Sequence, residues 1–151
     1  MNSNLHTNTT IDLLLVEDIP EDADLVIRAL KKGVPDMELQ WVEDGAEALD
    51  YLFMQGKFKD GSGVKIPKLI LLDLNMPKIS GTEVLRRIRA DKKTRRIPVV
   101  VLTSSREIRD IETCYDLGVN SYIVKPVDFV EFTKTITDLG LYWLRLNLPS
   151  E

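Results

Sequence analysis

Five short apolar runs alternate with five segments of helical spacing, and this alternation constrains the fold more than any other feature of the chain. The runs cover residues 11–16, 38–42, 68–72, 97–102 and 121–124. Three of them (LLLV, LILL and PVVVL) are apolar at consecutive positions rather than at every second one. Such continuity predicts strands covered on both faces, as in a parallel sheet. Between the runs, apolar residues recur with the period of a helix. Ala23, Val26, Ile27 and Leu30 define a first helix, with Pro20 suited to its first turn and Gly33 to its end. Ala46, Leu49, Leu52 and Phe53 define a second that stops near Gly56, and Val84, Leu85 and Ile88 a third. Ile108, Ile111 and Tyr115 define a fourth that stops at Gly118, with Ser104 or Ser105 as its N-cap. The fifth starts after Pro126 and runs to about Leu146 through Phe129, Phe132, Ile136, Leu139 and Trp143. The expected fold class is α/β: a (βα)5 doubly wound parallel sheet with right-handed crossovers and helices on both faces.

The 151 residues suffice for one domain with a real core. We expect a flexible leader over residues 1–10, a folded domain over 11–148 that includes an extended apolar last helix, and a tail over 149–151. The connection over 56–67 (GKFKDGSGVKIP) reads as an exposed loop. No apolar run approaches the roughly 18 residues that span a bilayer, and the polar start is no secretory signal. With a lone cysteine, these features point to the cytoplasm and to no membrane partner.

The composition also removes chemistry. The one cysteine, Cys114, allows no internal disulfide, and it reads as an inert packing residue on a helix. The one histidine, His6, lies in the leader, so no Ser-His-Asp triad or His-rich metal site is expected. The net charge of −4 argues against nucleic acid as a partner. The basic run Lys92, Lys93, Arg95 and Arg96 reads as a solvated loop. The Gly61–Ser62–Gly63 stretch follows a helix and lacks phosphate-loop spacing.

In an open α/β sheet, ligands sit beyond the carboxyl ends of the strands. Glu17 and Asp18 follow the first strand, and Asp73 ends the third in LLDLNMP. Thr103 and Ser104 follow the fourth, and Lys125-Pro126 follows the fifth. Singly, each has an ordinary reading: a helix-start acid pair, a loop acid, a helix cap, a solvated lysine. Together they put three carboxylates opposite a hydroxyl and an ammonium. Such carboxylates repel one another unless a cation joins them. Mg²⁺ suits the set, because it takes few carboxylates and keeps positions for water and phosphate oxygens. Glu17, Asp18, Asp73 and the backbone carbonyl of Asn75 are the expected metal ligands. Asp73 is the expected nucleophile for an aspartyl-phosphate. Lys125 and Thr103 would stabilise the transferring phosphoryl group.

These motifs, VEDIPED, LLDLNMP, VLTSS and YIVKP, resemble those of response-regulator receiver domains over most of the chain. The resemblance implies a flavodoxin-like (CheY-like) sheet with strand order 2-1-3-4-5. It implies phosphotransfer from a sensor histidine kinase to Asp73, and a switch in which Thr103 moves toward the phosphoryl group and Tyr122 turns inward. It also implies a cis Lys125–Pro126 peptide. GAEALDYL, YDLGVNSYIVKPVDF and the terminal YWLRLNLP are more narrowly similar to stand-alone phytochrome-associated response regulators of cyanobacteria. That similarity implies a phytochrome-type kinase and a homodimer through the fourth helix, fifth strand and fifth helix. The apolar end, with Leu141, Tyr142, Trp143 and Leu146, is the expected dimer patch, against the plainer reading that it packs on its own domain.

The expected function is thus a phosphorylation-dependent signal transducer with only self-directed chemistry, not an enzyme with an external substrate. Two other classes compete. A Mg²⁺-dependent phosphatase of the haloacid dehalogenase type would carry D-x-D, whereas Asp73 is followed by Asn75. A phosphorylation-independent binding module would not need the full set of acids, Thr103 and Lys125.

Overall fold

The structure is a computed structural model and describes residues 10–61 and 63–150. Most of the expected leader, including His6, lies outside the described residues, as do Ser62 and Glu151. The elements follow the expected order: β1 (Thr10–Val16), α1 (Pro20–Gly33), β2 (Leu39–Val42), α2 (Gly45–Leu52), β3 (Ile66–Leu72), α3 (Gly81–Ala90), β4 (Val99–Thr103), α4 (Ile108–Asp116), β5 (Ser121–Val124) and α5 (Phe129–Leu141). The five strands are parallel and pair in the order β2-β1-β3-β4-β5.

The unbroken apolar runs have the anticipated cause. Alternate residues of each central strand point to opposite faces, and both faces are covered. Leu14, Val16, Ile70, Leu72, Val99 and Val101 pack under α2, α3 and α4 with Leu49, Val84, Leu85 and Ile88. Leu13, Leu15, Leu69, Leu71, Val100 and Leu102 pack under α1 and α5 with Val26, Leu30, Phe132 and Ile136. Neither face can be exposed without uncovering a core. Gly140 lets α1 and α5 approach closely, since a Cβ there would fall 2.7 Å from Leu30 Cδ2. Among the described residues, no helix is long and apolar enough to cross a membrane.

Three local expectations are corrected. The connection over 56–67 is largely exposed, as expected, but shorter and more ordered than a plain loop: its last two residues belong to β3, and Gly56–Phe58 forms a 3-10 turn. Phe58 meets the ring of Tyr51 edge-on at 5.1 Å. The Tyr51 hydroxyl donates to the Lys65 carbonyl at 2.7 Å and accepts from the Lys65 amide at 3.1 Å. Neither Ser104 nor Ser105 caps α4, whose N-cap is Glu107 with no side-chain bond. Ser105 Oγ instead donates to Asp110 at 2.6 Å and accepts from the Glu107 amide, so the hydroxyl ties the preceding loop to the first turn. Finally, the last helix does not continue as α-helix to Leu146. After α5 the turn Tyr142–Leu146 widens to a π-helix. Trp143 and Leu144 pack against the α1/α5 core, while Leu141, Tyr142 and Leu146 are exposed. The apolar end therefore divides between the two readings.

Candidate functional site

The site forms because parallel strands all end at the same edge of the sheet, so residues far apart in sequence meet there. Glu17 continues β1, its amide donating to the Val42 carbonyl at 3.1 Å. Asp73 continues β3, its amide donating to the Val16 carbonyl at 3.1 Å. The close fit of Gly81 against this turn helps to set it: a Cβ at that position would lie 2.2 Å from the Asp73 carbonyl oxygen. The Gly81 amide donates to the Leu74 carbonyl at 2.9 Å, closing the connection between Asp73 and α3.

Glu17, Asp18 and Asp73 come together as the strand ends imply, each offering a carboxylate oxygen within 4.8 Å of the others. Glu17 and Asp73 are buried, and Asp18 is half-buried. Glu17 Oε2 accepts from the Ile19 amide at 3.1 Å, and Oε1 accepts from Lys125 Nζ at 2.8 Å. The Trp41 indole donates to the Glu17 carbonyl at 2.8 Å and fixes the backbone beneath it. Asp73 Oδ1 accepts a long bond, 3.4 Å, from the Asn75 amide, and Oδ2 lies 3.6 Å from Lys125 Nζ. Asn75 itself is exposed in the turn after β3.

Burial raises the Glu17 carboxyl to about 7, with the Lys125 hydrogen bond offsetting only part of that rise. Burial works against the Lys125 ammonium, but the hydrogen bonds to Asp22 and Glu17 outweigh it and hold its pKa above the ordinary value. Asp18 Oδ1 is buried and has no hydrogen-bond partner among the described residues. A buried carboxylate oxygen without a donor is costly. A divalent cation shared by Glu17, Asp18 and Asp73 would satisfy it, so the donor set fits a hard, oxygen-seeking metal.

Thr103 ends β4 fully buried, and its Oγ1 accepts from the Ser105 amide at 3.3 Å. Tyr122, half-buried on β5, donates from its hydroxyl to the Ser105 carbonyl at 3.0 Å. Both switch candidates thus hold the same residue of the β4–α4 loop. The Lys125 amide donates to the Thr103 carbonyl at 2.7 Å. The cis Lys125–Pro126 peptide implied by the resemblance is not found: no peptide bond among the described residues is cis. A bond before proline favours trans by about 0.5–1 kcal/mol unless its surroundings impose the other form. Here the trans chain already delivers Nζ to the acids.

Asp22 was missed in the sequence. It sits in the first turn of α1, and its Oδ2 accepts from Lys125 Nζ at 2.8 Å. The second acid pair of VEDIPED was the visible signal, but no spacing rule links it to a lysine 103 residues away. Cys114 is buried with its thiol pushed up to about 11, mainly by burial, which suits packing rather than chemistry. The basic run Lys92, Lys93, Arg95 and Arg96 is exposed and, with Lys68, lines a cleft of about 710 Å³. That cleft lies at the amino-terminal edge of the sheet, opposite the acids.

A family model described as the response regulator receiver domain matches residues 13–137. The chain is 40% identical over 135 residues to a probable methanogenesis regulatory protein, FilR2, of Methanothrix harundinacea, covering 89% of this chain and 84% of that protein. It is 40% identical over 139 residues to the response regulator Rcp1 of a Synechocystis species, covering 91% of this chain and 92% of that one. The Mn²⁺-bound form of Rcp1 superposes with a TM-score of 0.86 at 38% identity, over 93% of this chain and 99% of the other. The phosphorylated cyanobacterial phytochrome response regulator RcpA superposes with a TM-score of 0.87 at 37% identity, over 94% and 99%.

Proposed function

The chain belongs to the response regulator receiver domain family, and from that membership we propose that it is a signalling switch that takes a phosphoryl group onto Asp73. The observation that carries this reading is the convergence of Glu17, Asp18 and Asp73 within 4.8 Å, with the Lys125 ammonium 3.6 Å from Asp73. An Asp73 carboxylate oxygen attacks the phosphorus of a phosphohistidine on a sensor kinase. The P–N bond breaks as the P–O bond forms, and the released imidazole nitrogen keeps the electron pair. Mg²⁺, held by Glu17, Asp18, Asp73 and the Asn75 carbonyl, would supply charge neutralisation for the transferring phosphoryl oxygens. Lys125 would bind a phosphoryl oxygen as a point charge. The buried Thr103 hydroxyl can exchange its Ser105 contact for another.

The signal passes through the β4–α4 loop. Thr103 and Tyr122 both bind Ser105, so drawing Thr103 toward the phosphoryl group loosens the contact that Tyr122 holds. Tyr122 can then turn further inward, and the loop and α4 move with it. The chain modifies only itself: it takes the phosphoryl group from the donor onto Asp73 and later loses it to water. The similarity to RcpA, a cyanobacterial phytochrome response regulator, supports a phytochrome-type histidine kinase as the partner. Ile108 and Tyr115 on α4, and Phe129, Val130, Leu141, Tyr142 and Leu146 on α5 and the turn after it, are exposed. They support a homodimer through α4, β5 and α5. Trp143 contributes from the rim, since part of it is packed inward.

The test uses acetyl phosphate, Mg²⁺ and intact-mass measurement. One phosphoryl group, a gain of about 80 Da, is expected on the wild-type protein and none on Asp73→Asn. An unmodified wild type, or equal modification of Asp73→Asn, overturns the reading. Light scattering over a concentration series, with and without the phosphodonor, tests the dimer, and a monomer throughout excludes it.

A further inference from the structure

Lys125 is held by a carboxylate that the acidic cluster does not include. Its ammonium has three hydrogens to donate. Glu17 Oε1 and Asp22 Oδ2 each lie at 2.8 Å, whereas Asp73 Oδ2 stands off at 3.6 Å. The three cluster acids are Glu17, Asp18 and Asp73, and Asp22 is not among them. The Lys125 side chain is only 10% exposed and that of Asp22 28%, so their contact is partly shielded from water. Asp22 is fixed on α1, which packs against α5 along a shared core. The lysine is therefore drawn toward the α1 side of the site, away from Asp73.

We propose that Asp22 is a positioning residue that restrains Lys125 at a distance from Asp73 and competes with phosphoryl oxygens for its ammonium. The inference rests on the reading of Asp73 as phosphoacceptor and adds a control element to it. Two opposite effects follow. A cation among Glu17, Asp18 and Asp73 draws on the charge of Glu17, which leaves Asp22 as the carboxylate that keeps the like-charged ammonium aside. Asp22 thus favours the metal. A phosphoryl group on Asp73 needs the ammonium to come nearer, and Asp22 opposes that movement by one charge-assisted hydrogen bond. Asp22 thus disfavours the phosphorylated arrangement. A residue with only a structural role would weaken both ligands together.

The experiment titrates the full chain with Mg²⁺ and then, at saturating Mg²⁺, with beryllofluoride, a stable phosphoryl mimic. Trp41 reports binding, because its indole bonds the Glu17 carbonyl, and every variant carries Trp143→Phe so that one tryptophan remains. Asp22→Asn should raise the half-saturating Mg²⁺ and lower the half-saturating beryllofluoride, each by about threefold, as expected for one partly screened charged hydrogen bond. Glu21→Gln, which removes the same charge from an exposed neighbour in the same turn, should move both by much less. Parallel weakening or no change in Asp22→Asn overturns the proposal, as does a Glu21→Gln variant that reproduces the split. A wild type that answers neither ligand removes the phosphoacceptor reading itself, and the role of Asp22 with it.

Discussion

The metal-free protein should become less stable as pH rises from about 4.5 to about 7, and Glu17 is the reason. In the unfolded chain its carboxyl ionises near the usual 4.5, whereas burial raises it to about 7 in the fold. Between those values the native state binds more protons than the unfolded state, so the free energy of unfolding falls with pH. The stabilising contribution is complete below 4.5 and is lost as pH passes 7. Each pH unit is worth about 1.4 kcal/mol, so the loss approaches about 3 kcal/mol, a large share of a domain's stability. With a urea dependence of about 2 kcal/mol per molar, the denaturation midpoint should fall by roughly 1.5 M. Glu17→Gln supplies the reference, since it removes this group and leaves the rest of the titrating surface in place. Urea melts at pH 4.5, 6 and 7.5 would be compared between wild type and variant, first in a chelator and then in saturating Mg²⁺. Without metal, wild type should lose stability relative to Glu17→Gln as pH rises. With Mg²⁺ the trend should reverse, because the metal binds the deprotonated carboxylates and only in the folded state. Identical pH profiles for the two proteins, or a wild type that gains stability with pH in chelator, would refute the reasoning.

Three further outcomes are expected. Gly81→Ala places a Cβ 2.2 Å from the Asp73 carbonyl and 2.7 Å from Leu74 Cα, so it should cost at least about 2 kcal/mol in a urea melt. It should also slow acetyl-phosphate labelling more than its stability loss explains, because the displaced turn carries Asp73. Arg89 donates to the carbonyls of Gly118, Arg95 and Ile97 and to Asn120 Oδ1. Arg89→Lys cannot reproduce that fork and should lose about 2 kcal/mol by thermal or urea melting. Tyr51→Phe removes the hydroxyl that holds Lys65 at both its amide and its carbonyl, and should cost about 1–2 kcal/mol. Proteolysis should then cut within 56–66 faster than in wild type.

The order of strands and helices was legible in the chain because burial on both faces leaves an unbroken apolar run, and the runs LLLV, LILL and PVVVL state this directly. The acids were legible for a related reason. A parallel sheet puts every carboxyl end on one edge, so Glu17, Asp18 and Asp73 could be brought together from strand positions alone. Element ends were less legible. The serines before α4 look like caps, but Ser105 spends its hydroxyl on Asp110 and the loop amide. The apolar tail could not be divided in advance into inward Trp143 and outward Leu141, Tyr142 and Leu146, because a turn of π-helix changes which side chains share a face.

Local patterns along the chain were enough for the fold and for the strand-end acids Glu17, Asp18 and Asp73, though not for Asp22. The resting place of one ammonium is settled instead by the assembled fold. Lys125 meets Glu17 from 108 residues away and Asp22 from 103, and stands off from Asp73. No local pattern encodes that choice. It depends on how closely α1 and α5 pack and on how two carboxylates share three hydrogens, and these are properties of the assembled site rather than of any segment.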